Sequence, residues 1–167
     1  MTNQALLVID VQNDVVTNAV KIEEVIANIN SLVSAARLEN VPVIWVQHSD
    51  DYLVKGSADW EIVNELNPLA DEIKIYKTQP SSFEETDLAD HLKSLDIDTL
   101  VITGAQTNYC INATSNAGIE LGYEVTLVSD AHSTEDSETE KAIDIIEAKN
   151  STFAKIGKVL RTSEITF

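Results

Sequence analysis

Short apolar runs and helical periodicities alternate along the chain. Leu6-Leu7-Val8-Ile9 is continuously apolar, as a strand buried on both faces requires, and it ends on Asp10. Ile22, Val25, Ile26, Ile29, Leu32, Val33 and Ala36 recur at helical spacing, which predicts a helix over about residues 21–39 that Val41-Pro42 stops. Val43-Ile44-Trp45-Val46 reads as a second buried strand, and the polar, aperiodic stretch from Gln47 through Trp60 as a lid or binding loop. Ile73 to Tyr76 alternates as a short strand and delivers Lys77. Leu88, Leu92 and Leu95 mark a helix with Thr86 at its N-cap. Thr99 to Thr103 is a strand, followed through Gly104 by a helix capped by Thr107, whose inward stripe is Cys110, Ala113, Thr114, Ala117 and Leu121. A strand over Glu124–Val128 ends at Ser129-Asp130, and Ser137 with Glu140 reads as a capping box ahead of a helix carrying Ala142, Ile145 and Ile146. Lys158 to Leu160 is a last short strand.

Strands alternating with helices predict a single α/β domain over residues 1–167, a three-layer α/β/α sandwich around a six-stranded parallel sheet. The expected strand order is 3-2-1-4-5-6. Strands one and four then flank the switch point, where ligands bind off the carboxyl ends, so Asp10 and Cys110 share one crevice. Lys77, on the third strand, has to reach in from its loop.

Charge and cysteine content narrow the function. With a net charge of −17 and no basic cluster, the chain repels nucleic-acid phosphates and anionic lipid, which removes nucleic-acid and membrane partners. The acidic run Glu135 to Glu140 reads as solvated surface. A single cysteine excludes an internal disulfide and a cysteine-cluster zinc site. No apolar run nears a membrane span and no basic leader precedes the first strand, so the expected location is cytoplasmic and the expected partner a small molecule.

A lone cysteine is usually a small buried hydrophobe. Cys110 has a second reading because it falls in the first turn of a helix, where free N–H groups and the helix dipole favour a thiolate. Asp10 at one strand end can take the thiol proton and hand it to a departing amine, and Lys77 at another supports both charges. Backbone N–H groups of Gln106 and Cys110 are the expected oxyanion donors. Gln12, His48, Trp60, Phe83, Gln106 and Tyr109 are candidates for a small pocket with an aromatic side, although Trp60 and Phe83 serve equally well as core. No cofactor or metal is expected.

Four segments spanning nearly the whole chain resemble the isochorismatase-like cysteine hydrolases, which include nicotinamidases and N-carbamoylsarcosine amidohydrolases. They are Leu7 to Asp14, Ile75 to Phe83, Gly104 to Thr114 and Gly122 to Ala131. The resemblance implies a triad of Asp10, Lys77 and Cys110, hydrolysis through a covalent cysteine intermediate, dimers or larger homo-oligomers, and a non-proline cis peptide at Ala105-Gln106. There are departures. Nicotinamidases of the family hold a metal through an Asp and histidines after the second strand, and here His48 and Asp50 have no second histidine nearby. Val15 and Val16 stand where an aromatic is usual, which alters the pocket wall. The presence of Cys110 favours amide or related C–N substrates over vinyl ethers. Two rivals follow from the same residues: a metal-assisted nicotinamidase, and a catalytically silent binding or redox module acting through Cys110.

Overall fold

The computed structural model describes residues 3–167 and arranges them around a six-stranded, all-parallel sheet in the order β3-β2-β1-β4-β5-β6. The strands are β1 (Gln4–Ile9), β2 (Val43–His48), β3 (Ile73–Lys77), β4 (Thr99–Ala105), β5 (Glu124–Ser133) and β6 (Lys158–Leu160). The helices are α1 (Ile22–Leu38), α2 (Leu88–Ser94), α3 (Asn112–Glu120) and α4 (Ala142–Phe153).

Successive side chains on a strand point to opposite faces, and this sheet buries both. Leu6, Val8, Val43, Trp45 and Val101 pack with Val25, Ile29, Leu32 and Val33 of α1. Leu7, Ile9, Ile44, Val46 and Ile102 pack instead with Leu88 and Leu92 of α2, with Ile111, and with Phe153 at the end of α4. The result is the three-layer sandwich and strand order that the alternating pattern implies. No helix of the described residues is long and apolar enough to cross a membrane.

Several boundaries differ from expectation for local reasons. β5 runs on through Ser133, because its ladder with β4 breaks after Ile102↔Leu127 and resumes at Gly104↔His132. Extra residues bulge out between these pairs, which turns the polar Ser129-Asp130 into a mid-strand irregularity. At α2, Asp87 occupies the cap position while the Thr86 hydroxyl accepts the Leu88 N–H from one residue further out, at 3.3 Å; Leu95 lies past the helix and is exposed. Ser137 does not cap α4. Its hydroxyl accepts the Glu140 N–H at 2.9 Å within a preceding turn, and Asp136 Oδ1 accepts the N–H of Ala142 at 2.8 Å.

Where β1 and β4 lie side by side at the switch point, Ile9 pairs with Gly104. Gly104 has φ +121, and a Cβ there would run into the backbone of Ile9. Only glycine fits this close approach, which sits immediately before Asp10 on one strand and the cysteine turn on the other. Gly104→Ala is expected to destabilise the fold by at least about 3 kcal/mol or prevent folding. Urea denaturation checks this, and an unchanged midpoint would show that the two strands can part without cost.

Candidate active site

Asp10 follows the last residue of β1 in the left-handed backbone region, φ 51, which aspartate and asparagine tolerate better than most residues. Its carboxylate is 1% exposed. Lys77 closes β3 in register with His48 of β2, and it too is buried. It therefore comes from the strand itself and not, as expected, from the following loop; its side chain has only β2 to cross to reach β1. Lys77 Nζ lies 2.8 Å from Asp10 Oδ2, 3.1 Å from His48 Nδ1, 3.1 Å from the carbonyl of Gln79 and 3.2 Å from Cys110 Sγ. One ammonium thus joins the predicted Asp10, His48 and Cys110.

Cys110 sits in a π turn, Thr107–Ile111, that precedes α3. The Ala105-Gln106 peptide bond before it is cis, as the resemblance implies. The carbonyl of Gln106 accepts from the N–H groups of Tyr109 and Ile111, straddling that of Cys110. Thr107 is not an N-cap: Gln106 holds that position, and the Thr107 hydroxyl bonds His132 Nδ1 at 2.8 Å. The wider turn also rotates the helix that follows. Its buried stripe is Ile111, Thr114, Ser115 and Gly118, so Ala113 and Ala117 shift to its margin and Leu121 is exposed. Thr114 Oγ1 accepts the Ser82 N–H at 3.0 Å, tying α3 to the segment after Lys77.

His132 is the main support of the turn that sequence spacing left without a role. Its Nε2–H donates to Asn150 Oδ1 at 2.9 Å, leaving Nδ1 to accept from Thr107, and Asn150 Nδ2 donates to the carbonyl of Ser129 at 3.1 Å. Burial lowers its pKa from 6.5 to about 4, so the ring is neutral in this network.

Burial pushes the Asp10 carboxyl above the usual range, and the Lys77 charge opposes that rise. Among the described residues Asp10 Oδ1 makes no hydrogen bond of ordinary geometry, and the Cys110 thiol beside the carboxyl also opposes the rise. Burial, and then the neighbouring Asp10 charge, push the Cys110 thiol up to about 12, against a smaller lowering by Lys77. The helix start therefore does not make a resting thiolate here, contrary to expectation, because desolvation outweighs it. At neutral pH the group is a thiol, with the Asp10 carboxyl beside it.

A cavity of about 400 Å³ opens above this cluster. Of the predicted pocket residues, His48, Gln106 and Tyr109 line it with Asp10 and Cys110, and Asp14, Val15, Asp50, Tyr52, Leu53, Pro80 and Glu135 complete the wall. Gln12, Trp60 and Phe83 do not. The Gln12 amide is fully buried, donating to the carbonyls of His48 and Trp60 at 2.9 and 2.8 Å and accepting the His48 N–H at 2.9 Å. It clamps the two ends of the polar loop. Trp60 is buried against Tyr76 and Phe83 stacks on Tyr123, so both are core.

Among the described residues, Asp10, His48 and Cys110 are the one trio of donors close enough to share a metal ion. All three are turned toward Lys77 Nζ, whose ammonium already takes the cation's position. His48 Nε2 and Asp50 Oδ2 are 3.5 Å apart without a third donor, while His91 pairs with Asp87 and His132 is committed to the turn. These residues do not fit a nicotinamidase-type metal site.

A parallel α/β sandwich with a buried acid and amine and a half-buried thiol at its switch point is the class of protein these residues define. Residues 4–160 match the isochorismatase domain, and the chain belongs to the isochorismatase family. It is 36% identical over 141 residues to an uncharacterized isochorismatase family protein of Bacillus subtilis, covering 77% of this chain and 72% of that one. It is 30% identical over 173 residues to the ureidoacrylate amidohydrolase of Cronobacter turicensis, covering 76% and 73%. Its fold superimposes on a cysteine hydrolase from Pseudomonas syringae pv. phaseolicola with a TM-score of 0.91 at 26% identity, over 97% of this chain and 90% of that one.

Two outcomes follow. Since the Asp10 charge raises the thiol's pKa, Asp10→Asn, which suits the same backbone, is expected to speed alkylation of Cys110 by iodoacetamide near neutral pH by about tenfold. This reverses the slowing expected if Asp10 were needed to form a resting thiolate; a slower rate in the variant would restore that view. For His132 the folded-state pKa lies below the unfolded one, so its stabilising contribution is complete above about 6.5 and is lost as pH falls toward 4. Lowering the pH from 8 to 5 is expected to cost about 2 kcal/mol through this residue. Urea titrations at the two pH values should show the parent losing that much more stability than His132→Gln, and equal losses would mean the buried ring does not control it.

Proposed function

We propose that the chain is a cysteine hydrolase that cleaves the C–N bond of a small amide or carbamoyl compound through a thioester. The observation that carries this reading is the Lys77 ammonium lying 2.8 Å from Asp10 and 3.2 Å from Cys110 Sγ at the floor of a cavity. With the thiol pushed up to about 12, its proton leaves as the sulfur attacks the carbonyl carbon. Asp10, a stronger base than an ordinary carboxylate because it is buried, accepts that proton.

Lys77 offsets the negative charge as it passes between sulfur and carboxylate. The carbonyl oxygen turns toward the N–H groups of Gln106 and Cys110. Asp10 then gives its proton to the departing nitrogen, the C–N bond breaks, and a thioester remains. A water that loses a proton to Asp10 attacks the thioester carbon, and the acid and the thiol are released. His48, bonded to the ammonium through Nδ1, helps hold Lys77 in place. No step requires a metal or an organic cofactor.

The relatives support the reaction class, since one is an amidohydrolase and another is named a streptothricin hydrolase. A panel of small amides scored for ammonia or amine release tests the reading. Cys110→Ala is expected to lower turnover of any substrate found by at least about 10³-fold with its thermal unfolding unchanged. Asp10→Asn is expected to lose turnover as well, even though its thiol alkylates faster. Equal turnover in parent and Cys110→Ala would remove the cysteine mechanism, and a parent that labels readily yet hydrolyses nothing in the panel would favour a silent binding module.

A further inference from the structure

The cavity above Cys110 has a one-sided charge. Its charged lining is Asp10 at the floor with Asp14, Asp50 and Glu135 around the wall, and no lysine or arginine lines it. Lys77 lies beneath, neutralised by Asp10 at 2.8 Å. Asp14 and Glu135 take part in none of the ion pairs among the described residues. Asp50 accepts the N–H groups of Tyr52 and Leu53 at 2.8 and 2.7 Å, and these bonds hold it below the usual carboxylate range.

A rim of carboxylates alone would be ordinary acidic surface, but the same cavity contains a ligand-facing group of another kind. Asp10 Oδ1 is buried at the floor beside the Cys110 thiol and makes no hydrogen bond of ordinary geometry among the described residues, so it is open to a donor from a bound molecule. The rim is also the wrong shape for a metal ion, because no three of its acidic groups lie close enough to share one. Tyr52 and Tyr109, 96% and 61% exposed at the cavity, add aromatic faces that suit a diffuse organic cation.

We infer that the substrate of the proposed hydrolase is itself cationic, an amide or carbamoyl compound bearing an ammonium or guanidinium group held among Asp14, Asp50 and Glu135 while its carbonyl reaches Cys110. This rests on the hydrolase reading for the reaction but on the charge of the cavity for the substrate class. An anionic amide of the same size meets repulsion from every charged group on the wall.

Two methanethiosulfonates of similar size and opposite charge, one ending in trimethylammonium and one in sulfonate, measure this directly. Each transfers its thioalkyl group to the Cys110 sulfur, forming a mixed disulfide and expelling methanesulfinate, and Cys110 is the only cysteine to label. At low ionic strength the ratio of cationic to anionic labelling rates is expected to exceed that of 2-mercaptoethanol by about tenfold or more. It should fall toward that of the free thiol in high salt and in the Asp14→Asn, Glu135→Gln double variant, whose two positions make no hydrogen bond or ion pair with Cys110, Asp10 or Lys77. A ratio no greater than that of 2-mercaptoethanol, or one unaltered in the double variant, overturns the proposal. A matched series of ammonium-bearing, neutral and carboxylate-bearing amides separates the two claims. Turnover that favours the neutral or anionic members removes the cationic substrate and keeps the hydrolase; a steep labelling ratio with no turnover of any member removes the hydrolase and keeps the cation-selective cavity.

Discussion

The Lys77 ammonium is the interaction on which the site depends. A buried charge without a partner is costly, and breaking a buried pair by removing one member typically costs about 3–5 kcal/mol. Here the charge has Asp10 at 2.8 Å, with His48 Nδ1, the Gln79 carbonyl and Cys110 Sγ completing its surroundings. An ammonium has three protons and this one has four neighbours, so the sulfur, a neutral thiol and the weakest acceptor, takes the smallest share of them. The arrangement requires β3, β2, β1 and β4 to lie in that order with their carboxyl ends level. It requires Gly104 as well, because any side chain there would push β4 off β1.

The same interaction sets the chemistry. Helix position and a nearby lysine alone would argue for a standing thiolate. Burial and the Asp10 carboxylate outweigh both, and the thiol is pushed up to about 12. The ammonium is therefore not free to stabilise sulfur until Asp10 has taken the proton, when its positive charge faces thiolate alone. In the proposed reaction, proton transfer and activation of the nucleophile become one event.

Much of this was legible in the sequence because buried parallel strands and amphipathic helices leave strong periodic traces. The α1 stripe from Ile22 to Ala36 and the apolar runs at Leu6, Ile44 and Val101 reappear in the two cores. The strand-end positions of Asp10 and Lys77 and the helix-start position of Cys110 followed from those runs. What escaped lies where backbone geometry departs from its period. The π turn adds a residue that no hydrophobic pattern registers, which misassigned Thr107 as a cap and shifted the α3 stripe to Ile111, Thr114, Ser115 and Gly118. The β5 bulge likewise let polar Ser129-Asp130 pass for a strand end and concealed that His132 stands beside Gly104. Gln12 read as a polar orienter of the pocket, but the antiparallel bridge between Gln12 and Ile62 and its bonds to His48 and Trp60 turn it into the loop.

The two charge systems of the cavity are separable in a way that bears on how such a site can change its substrate. Below, Asp10 and Lys77 are closed off from solvent and nearly cancel, so their effect is confined to the sulfur and to whatever bond lies against it. Above, Asp14 and Glu135 pair with no cation among the described residues, and their field extends over the opening. Solvent and salt screen the upper charges and scarcely reach the lower pair. Substitutions at the rim can therefore alter which molecules enter without disturbing the proton path, whereas any change to the buried pair alters both the reactivity of Cys110 and the cohesion of the strand ends. The loop that supplies Asp50, Tyr52 and Leu53 is held at its base by Gln12 and by Gln47, which donates to the Trp60 carbonyl at 3.1 Å. That anchoring sets the rim on a fixed foundation, so in the proposed reading selection belongs to the loop and reactivity to the sheet.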